Sequence, residues 1–272
     1  MMARNWTDAA IAVAQLRIYP IKSLDPVMVP QVTVLPSGAL QGDRTYALVD
    51  ERGQFVNGKR EARIHLVRSQ FDLAAHTVTL WVQDEPHRAT FHLDQDRDRL
   101  NAWFSVYLGR RVTLQQNTEM GFPDDTVSPG ATIISTASLG AIAQWYPHST
   151  VEAMRRRFRA NIELGECPAF WEDHLFGETG QPVAFQVGTV QFWGINPCQR
   201  CVVVTRDPDT GKGDRQFQQT FITQRQQSLP ADVARSPFNH FFRLAVNTRV
   251  PPSEAGKVIH LGDLVSVGGV AE

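Results

Sequence analysis

At Asp94 the apolar residues change their spacing, and that change limits the fold more than any other feature of the chain. Before it, short runs alternate in polarity or are rich in β-branched and aromatic residues. VAQLRIYPI from Val13, AAHTVTLWV from Ala74 and HRATFHL from His87 all read as strands. The first stops at Pro20, whose locked φ and missing N–H suit a strand end. RTYALVDERGQFVNGKR reads as two strands around a hairpin turn at Asp50-Glu51-Arg52-Gly53. In DQDRDRLNAWFSVYLGRR the period lengthens: Leu100, Trp103, Phe104, Tyr107 and Leu108 share one helix face. Asp94, Asp96 and Asp98 suit the positive N-terminal end of that helix, and Gly109 suits its stop.

The polar stretch NTEMGFPDDTVSPG, residues 117–130, carries Pro and Gly punctuation and divides the chain into 10–116 and 117–270. After it ATIIS reads as a short strand, and Ser135 as the N-cap of a helix over TASLGAIAQWY. STVEAMRRRFRAN reads as a second helix running out into NIEL. From residue 182 the pattern is β again. PVAFQVGTVQFWG turns at Val187-Gly188, CVVVTRDPDTGKG reads as a strand entering a Pro-Asp-Thr-Gly turn, and LVSVGG closes the chain, with a helix expected over RQFQQTFITQRQQ. Many short strands with a few inserted helices predict an α+β, β-rich architecture rather than a doubly wound parallel sheet.

The chain has 272 residues and a formal net charge of −1, with a pI of about 6.7. That balance excludes bulk electrostatic binding to nucleic acid or to an anionic membrane, although it is blind to a local basic pocket. No stretch approaches the roughly 18 apolar residues of a membrane span, and the N-terminus lacks the features of a signal peptide. Three cysteines, an odd number, fit a reducing compartment and not a disulfide scaffold. The expectation is a soluble, cytoplasmic protein.

Two of those cysteines stand in NPCQRC, residues 196–201. Structural zinc needs about four ligands, but Cys167 stands alone and the histidines show no close pair. A thioredoxin-like dithiol places its first cysteine at a helix N-terminus, whereas the β-branched VVVT after Cys201 favours a strand. Two small buried hydrophobes in a β-rich core is the plain alternative. Against it, Asn196-Pro197 imposes an extended or turn backbone, Arg200 puts a cation between the thiols, and thiolate sulfur suits a transition metal.

CQRCVVVTRDPDTG resembles the signature of MOSC-domain proteins, as do RFRANI, ATIISTASL and GDLVSVG. RIYPIKSL and LQGDRTYALVDERGQFVNGKREARI resemble the MOSC N-terminal β-barrel domain. The resemblance implies that barrel over 10–116 and a C-terminal MOSC β-barrel with inserted helices over 117–270. By pattern the nearest branch holds the mitochondrial amidoxime-reducing components and bacterial N-hydroxylated-base reductases. It implies a molybdenum cofactor with Cys201 as the metal's protein ligand, and Cys198 left structural. Lys22, Ser23, Arg44, Arg159, Asn161, Gln199 and Arg200 match cofactor-contacting positions, as does either Thr126 or Ser128 in DDTVSP. Asp125 matches an acidic residue placed for proton transfer. Gln199 and Ala160 depart from the Ser and Pro common at those places. The activity implied is reduction of a small N-oxygenated substrate, with electrons from a separate flavoprotein reductase or ferredoxin and no membrane or nucleic-acid partner. The rival reading is a non-catalytic carrier of cofactor or sulfur, with a persulfide on Cys201.

Overall fold

The computed structural model describes residues 10–268. Its largest element is an eight-stranded sheet. In spatial order the strands are Val265–Val267, Val183–Val187, Val190–Gln199, Arg243–Arg249, Ile133–Ser135, Ile162–Gly165, Ala12–Ile18 and Val27–Met28. Smaller sheets pair Tyr46–Asp50 with Val112–Gln116, Val258–His260 with Gln31–Thr33, and join Val67–Asp72, Thr77–Val82 and Arg88–His92. The β-rich α+β architecture expected from the sequence is the one observed.

The sheet crosses the polar stretch at 117–130. Ala12–Ile18 pairs antiparallel with Ile162–Gly165, and Gln31–Thr33 pairs with Val258–His260. Val13, Leu16, Ile18, Val32, Val34 and Leu40 therefore pack in one core with Ile133, Phe185, Phe192 and Val246. A second core gathers Ile21, Leu48, Val78 and Phe91 under the helix Arg97–Leu108, which buries Leu100, Phe104 and Leu108 and ends at Gly109 with φ 65°. A third holds the helices Thr136–Gln144, Val151–Phe158 and Phe217–Gln227 around Ile134, Phe158 and Phe221. Ser135 caps the first of these helices by accepting from Ser138 N.

Two expected strands are absent. The second arm of the Asp50–Gly53 hairpin is reduced to one bridge, Val49 to Phe55, on the edge of Tyr46–Asp50 opposite Val112–Gln116, where Tyr46 already bonds to Pro20 O and Lys22 N. The β-branched run after Cys201 is a 3-10 turn, Val202–Thr205. Pairing with Arg243–Arg249 ends at Gln199 opposite Arg243, so the run has no ladder to join. Thr205 Oγ1 instead donates to Val202 O at 2.8 Å. Strand propensity needs a partner strand to be realised.

The sequence segment WEDH hides a charged centre in the core. Glu172, Asp173 and Arg225 are all fully buried. Arg225 donates to Asp173 Oδ1 at 2.7 Å, and Ser138 Oγ donates to Glu172 Oε2 at 2.9 Å. One cation faces two carboxylates. Burial, reinforced by Asp173, pushes the Glu172 carboxyl up to about 7. An acid raised above its unfolded value binds its proton more tightly in the native state. Its contribution is therefore present at low pH and is lost as pH rises through that interval. Glu172→Gln is expected to flatten the fall in thermal stability between pH 5 and pH 8 and to raise the melting temperature at pH 8. Melting curves at the two pH values test this, and an unchanged pH slope would refute it.

Candidate functional site

A cleft of about 610 Å³ lies where the end of the long strand Val190–Gln199 meets the loops at 22–23, 57–59 and 123–130. Cys198 and Cys201 both line it, and both are free and half-buried. Neither is sealed in apolar packing. The backbone at Cys201 is held from both sides: Arg200 N donates to Phe242 O at 3.0 Å, and Val204 N donates to Cys201 O at 3.3 Å. The 3-10 turn turns the chain away directly after the thiol.

Seven cationic side chains line the cleft against two carboxylates, Asp124 and Asp125. Lys22 is nearly buried, at 7% exposure. Its Nζ donates to Phe122 O at 2.7 Å and Asp124 Oδ1 at 2.9 Å. Burial lowers the Lys22 pKa against the pull of Asp124. Burial raises Asp124 in turn, but Lys22, Lys59 and Arg44 outweigh it and hold that carboxyl down at about 2. Lys59 closes the group from the rim, 3.5 Å from the same oxygen. The Asp124 side chain is 63% exposed, so water screens these pairs and they define charge more than stability.

Tyr19 organises two further cations. Arg159 lies 4.1 Å from the centre of its ring and Arg44 5.5 Å. Arg44 is paired with Asp43. Arg159 is the left-handed residue ending the helix Val151–Phe158, with φ 53°, and it donates to Leu24 O at 2.7 Å. Burial and the Arg44 charge lower its pKa. Ser23 and Arg44 are also left-handed, at φ 75° and 48°. Arg200 donates from Nε and Nη2 to Leu244 O, at 3.0 and 2.6 Å, and from Nη1 to Phe158 O at 3.1 Å. Arg159 and Arg200 are thus held by neutral carbonyls, which leaves their positive charge without a carboxylate partner among the described residues.

Of the residues marked in the sequence, Lys22, Ser23, Arg44, Asp125, Ser128, Arg159, Gln199, Arg200 and Cys201 come together along this cleft. Thr126 and Asn161 are not in its lining. Asn161 is buried, with Nδ2 donating to Arg17 O at 3.1 Å and Oδ1 accepting from Thr132 N at 3.2 Å. It joins strands instead of facing the cleft. Asp125 Oδ1 accepts from Val127 N and Ser128 N at 2.9 and 3.1 Å, shaping the loop on which Ser128 sits. Sequence reasoning missed Asp124, Lys59 and Arg243. Asp124 sits next to Asp125 and was separable from it only by geometry. Lys59 and Arg243 arrive from distant segments with no local signal.

Among the described residues no helix is long and apolar enough to cross a membrane. The family description "MOSC N-terminal beta barrel domain" matches residues 10–105, and "MOSC domain" matches residues 129–265. The chain is 28% identical over 243 residues to the Bos taurus mitochondrial amidoxime reducing component 2, covering 75% of this chain and 68% of that protein. It is 26% identical over 275 residues to the Homo sapiens mitochondrial amidoxime-reducing component 1, covering 85% and 78%. The Danio rerio molybdenum cofactor sulfurase is 25% identical over 249 residues, 74% of this chain but 29% of its own length. The cleft thus lies where residues of both matched segments meet, and a chain matched over both segments belongs to the MOSC family, with the family's N-terminal barrel domain ahead of the MOSC domain itself.

Proposed function

We propose that this chain binds a molybdenum cofactor in the cleft and reduces small N-hydroxylated compounds, amidoximes and N-hydroxylated bases, to the amidine or amine. The meeting of two accessible thiols with seven cations and two carboxylates in one cleft carries this reading. Molybdopterin bears a phosphate, and Arg159 and Arg200, which lack carboxylate partners, fit such an anion. Cys201 supplies the thiolate ligand to the metal. Lys22, Ser23, Arg44 and Gln199 complete the cradle, and Ser128 takes the contact that the sequence left open with Thr126. Asn161 acts as a positioning residue for the strand that follows Arg159. When bound, the cofactor would supply two-electron reduction at the N–O bond, with two protons completing the loss of water. Asp125 has Oδ1 engaged by the loop, so Oδ2 is the atom that hands on a proton. Electrons come from a separate flavoprotein reductase or ferredoxin. The free cysteines suit a cytoplasmic setting.

The test is metal and pterin analysis of protein made in a cofactor-competent host, with benzamidoxime turnover on an artificial electron donor. About one molybdenum per chain with turnover is the expected result. The likeness to molybdenum cofactor sulfurases favours one rival, a carrier of sulfur or cofactor. A persulfide on Cys201 in metal-free protein, with no turnover after loading, would establish the carrier instead.

A further inference from the structure

A second cavity, of about 500 Å³, adjoins the first. The two share Asn196 and Arg243, and Arg249, in the second, donates from Nε to Ser128 Oγ of the first at 3.2 Å. Arg243 and Arg249 are its charged lining residues, and no carboxylate is among the side chains that line it. Arg243 is held by neutral oxygens, Pro197 O at 2.9 Å and Asn239 Oδ1 at 2.8 Å. Arg249 Nε also donates to Val127 O at 2.9 Å, while its two terminal nitrogens have no partner among the described residues. The Glu178 carboxylate is engaged by Ser236, one of the lining residues. Two half-buried guanidiniums without a counter-charge, beside Asn196 and Asn239, make a site for an anionic group.

We infer that this cavity is the tail subsite of the substrate, and that the protein prefers N-hydroxylated compounds carrying a carboxylate or similar anion. The inference rests on the proposed reductase reading. The N–O group lies over Cys201, and the anionic end reaches past Arg243 to the Arg249 fork.

The experiment compares benzamidoxime with 4-carboxybenzamidoxime on the loaded enzyme, and measures binding of the carboxylated compound to metal-free protein by calorimetry. The carboxylated substrate is expected to have a kcat/KM about tenfold higher, a gap that narrows with added salt because the attraction is electrostatic. Arg249→Gln should bring the two substrates to within about twofold of each other. Any loss from disturbing Ser128 affects both and cancels in the ratio. Asn239→Asp, at an exposed position, gives Arg243 a carboxylate partner and should lower the preference without removing a cation. An unchanged ratio in both variants, or equal use of both substrates by the parent protein, overturns the inference and leaves the reductase reading intact. Arg249-dependent binding in a protein that shows no turnover preserves the anion site and removes the reductase reading instead.

Discussion

Replacing Cys201 by alanine is expected to strip molybdenum from the isolated protein and to lower benzamidoxime turnover by at least about a hundredfold, because even outer-shell changes at metal sites cost about 10- to 100-fold. Cys198→Ala should stay within about threefold of the parent, since the hydrogen bond its sulfur makes, to Gln199 O at 3.8 Å, is a weak one. The contrast lies in backbone placement. Cys201 stands where the long strand leaves the sheet, fixed by hydrogen bonds at Arg200 N and at its own carbonyl. Metal content and turnover are read on the same preparations. Retention of both by Cys201→Ala would remove the ligand assignment.

Asp173→Ala is expected to be the most damaging change outside the cleft. It leaves the Arg225 guanidinium, at 0% exposure, without its carboxylate. Breaking a buried pair from one side costs about 3–5 kcal/mol, because a desolvated guanidinium loses its hydrogen-bonded carboxylate. In a chain of this size the melting temperature should fall on the order of 10 °C. Arg225 also donates to Arg243 O at 3.2 Å and lies 4.6 Å from the ring centre of Phe170, so the third core loosens beside the strand that frames the cleft. The pair Arg99–Asp96, at 2.8 Å but with Arg99 66% exposed, is the control, and its loss should cost under about 1 kcal/mol. Equal effects at both sites in urea titrations would refute the burial argument.

The chain was legible where local chemistry decided the outcome. Phe104 and its neighbours placed their helix, Gly109 its end, and Ser135 its cap, because each signal acts within one or two turns. The run at Val202 misled because propensity is local and ladder partners are not. The same holds for the arm at Phe55. In RRRFR, Arg155 donates to Glu163 at 2.8 Å and Arg157 to Val204 O at 3.0 Å, partners that the helical pattern alone does not announce. The family resemblance came through because its motifs keep their order. It marked most of the cleft, including Cys201, but not Asp124, Lys59 or Arg243, which only folding brings alongside. Asn161 shows the converse: a residue beside the site in sequence whose side chain serves the strands behind it.

Ser23, Arg44 and Arg159 hold a left-handed backbone, at φ 75°, 48° and 53°. For residues with a β-carbon this costs roughly 1–2 kcal/mol apiece, and the three cores bear that burden permanently. The same arrangement sets a limit on improving the fold. Glycine at 44 or 159 would relieve the backbone and erase a positive charge in one step, so thermal robustness and grip on an anion pull these positions in opposite directions.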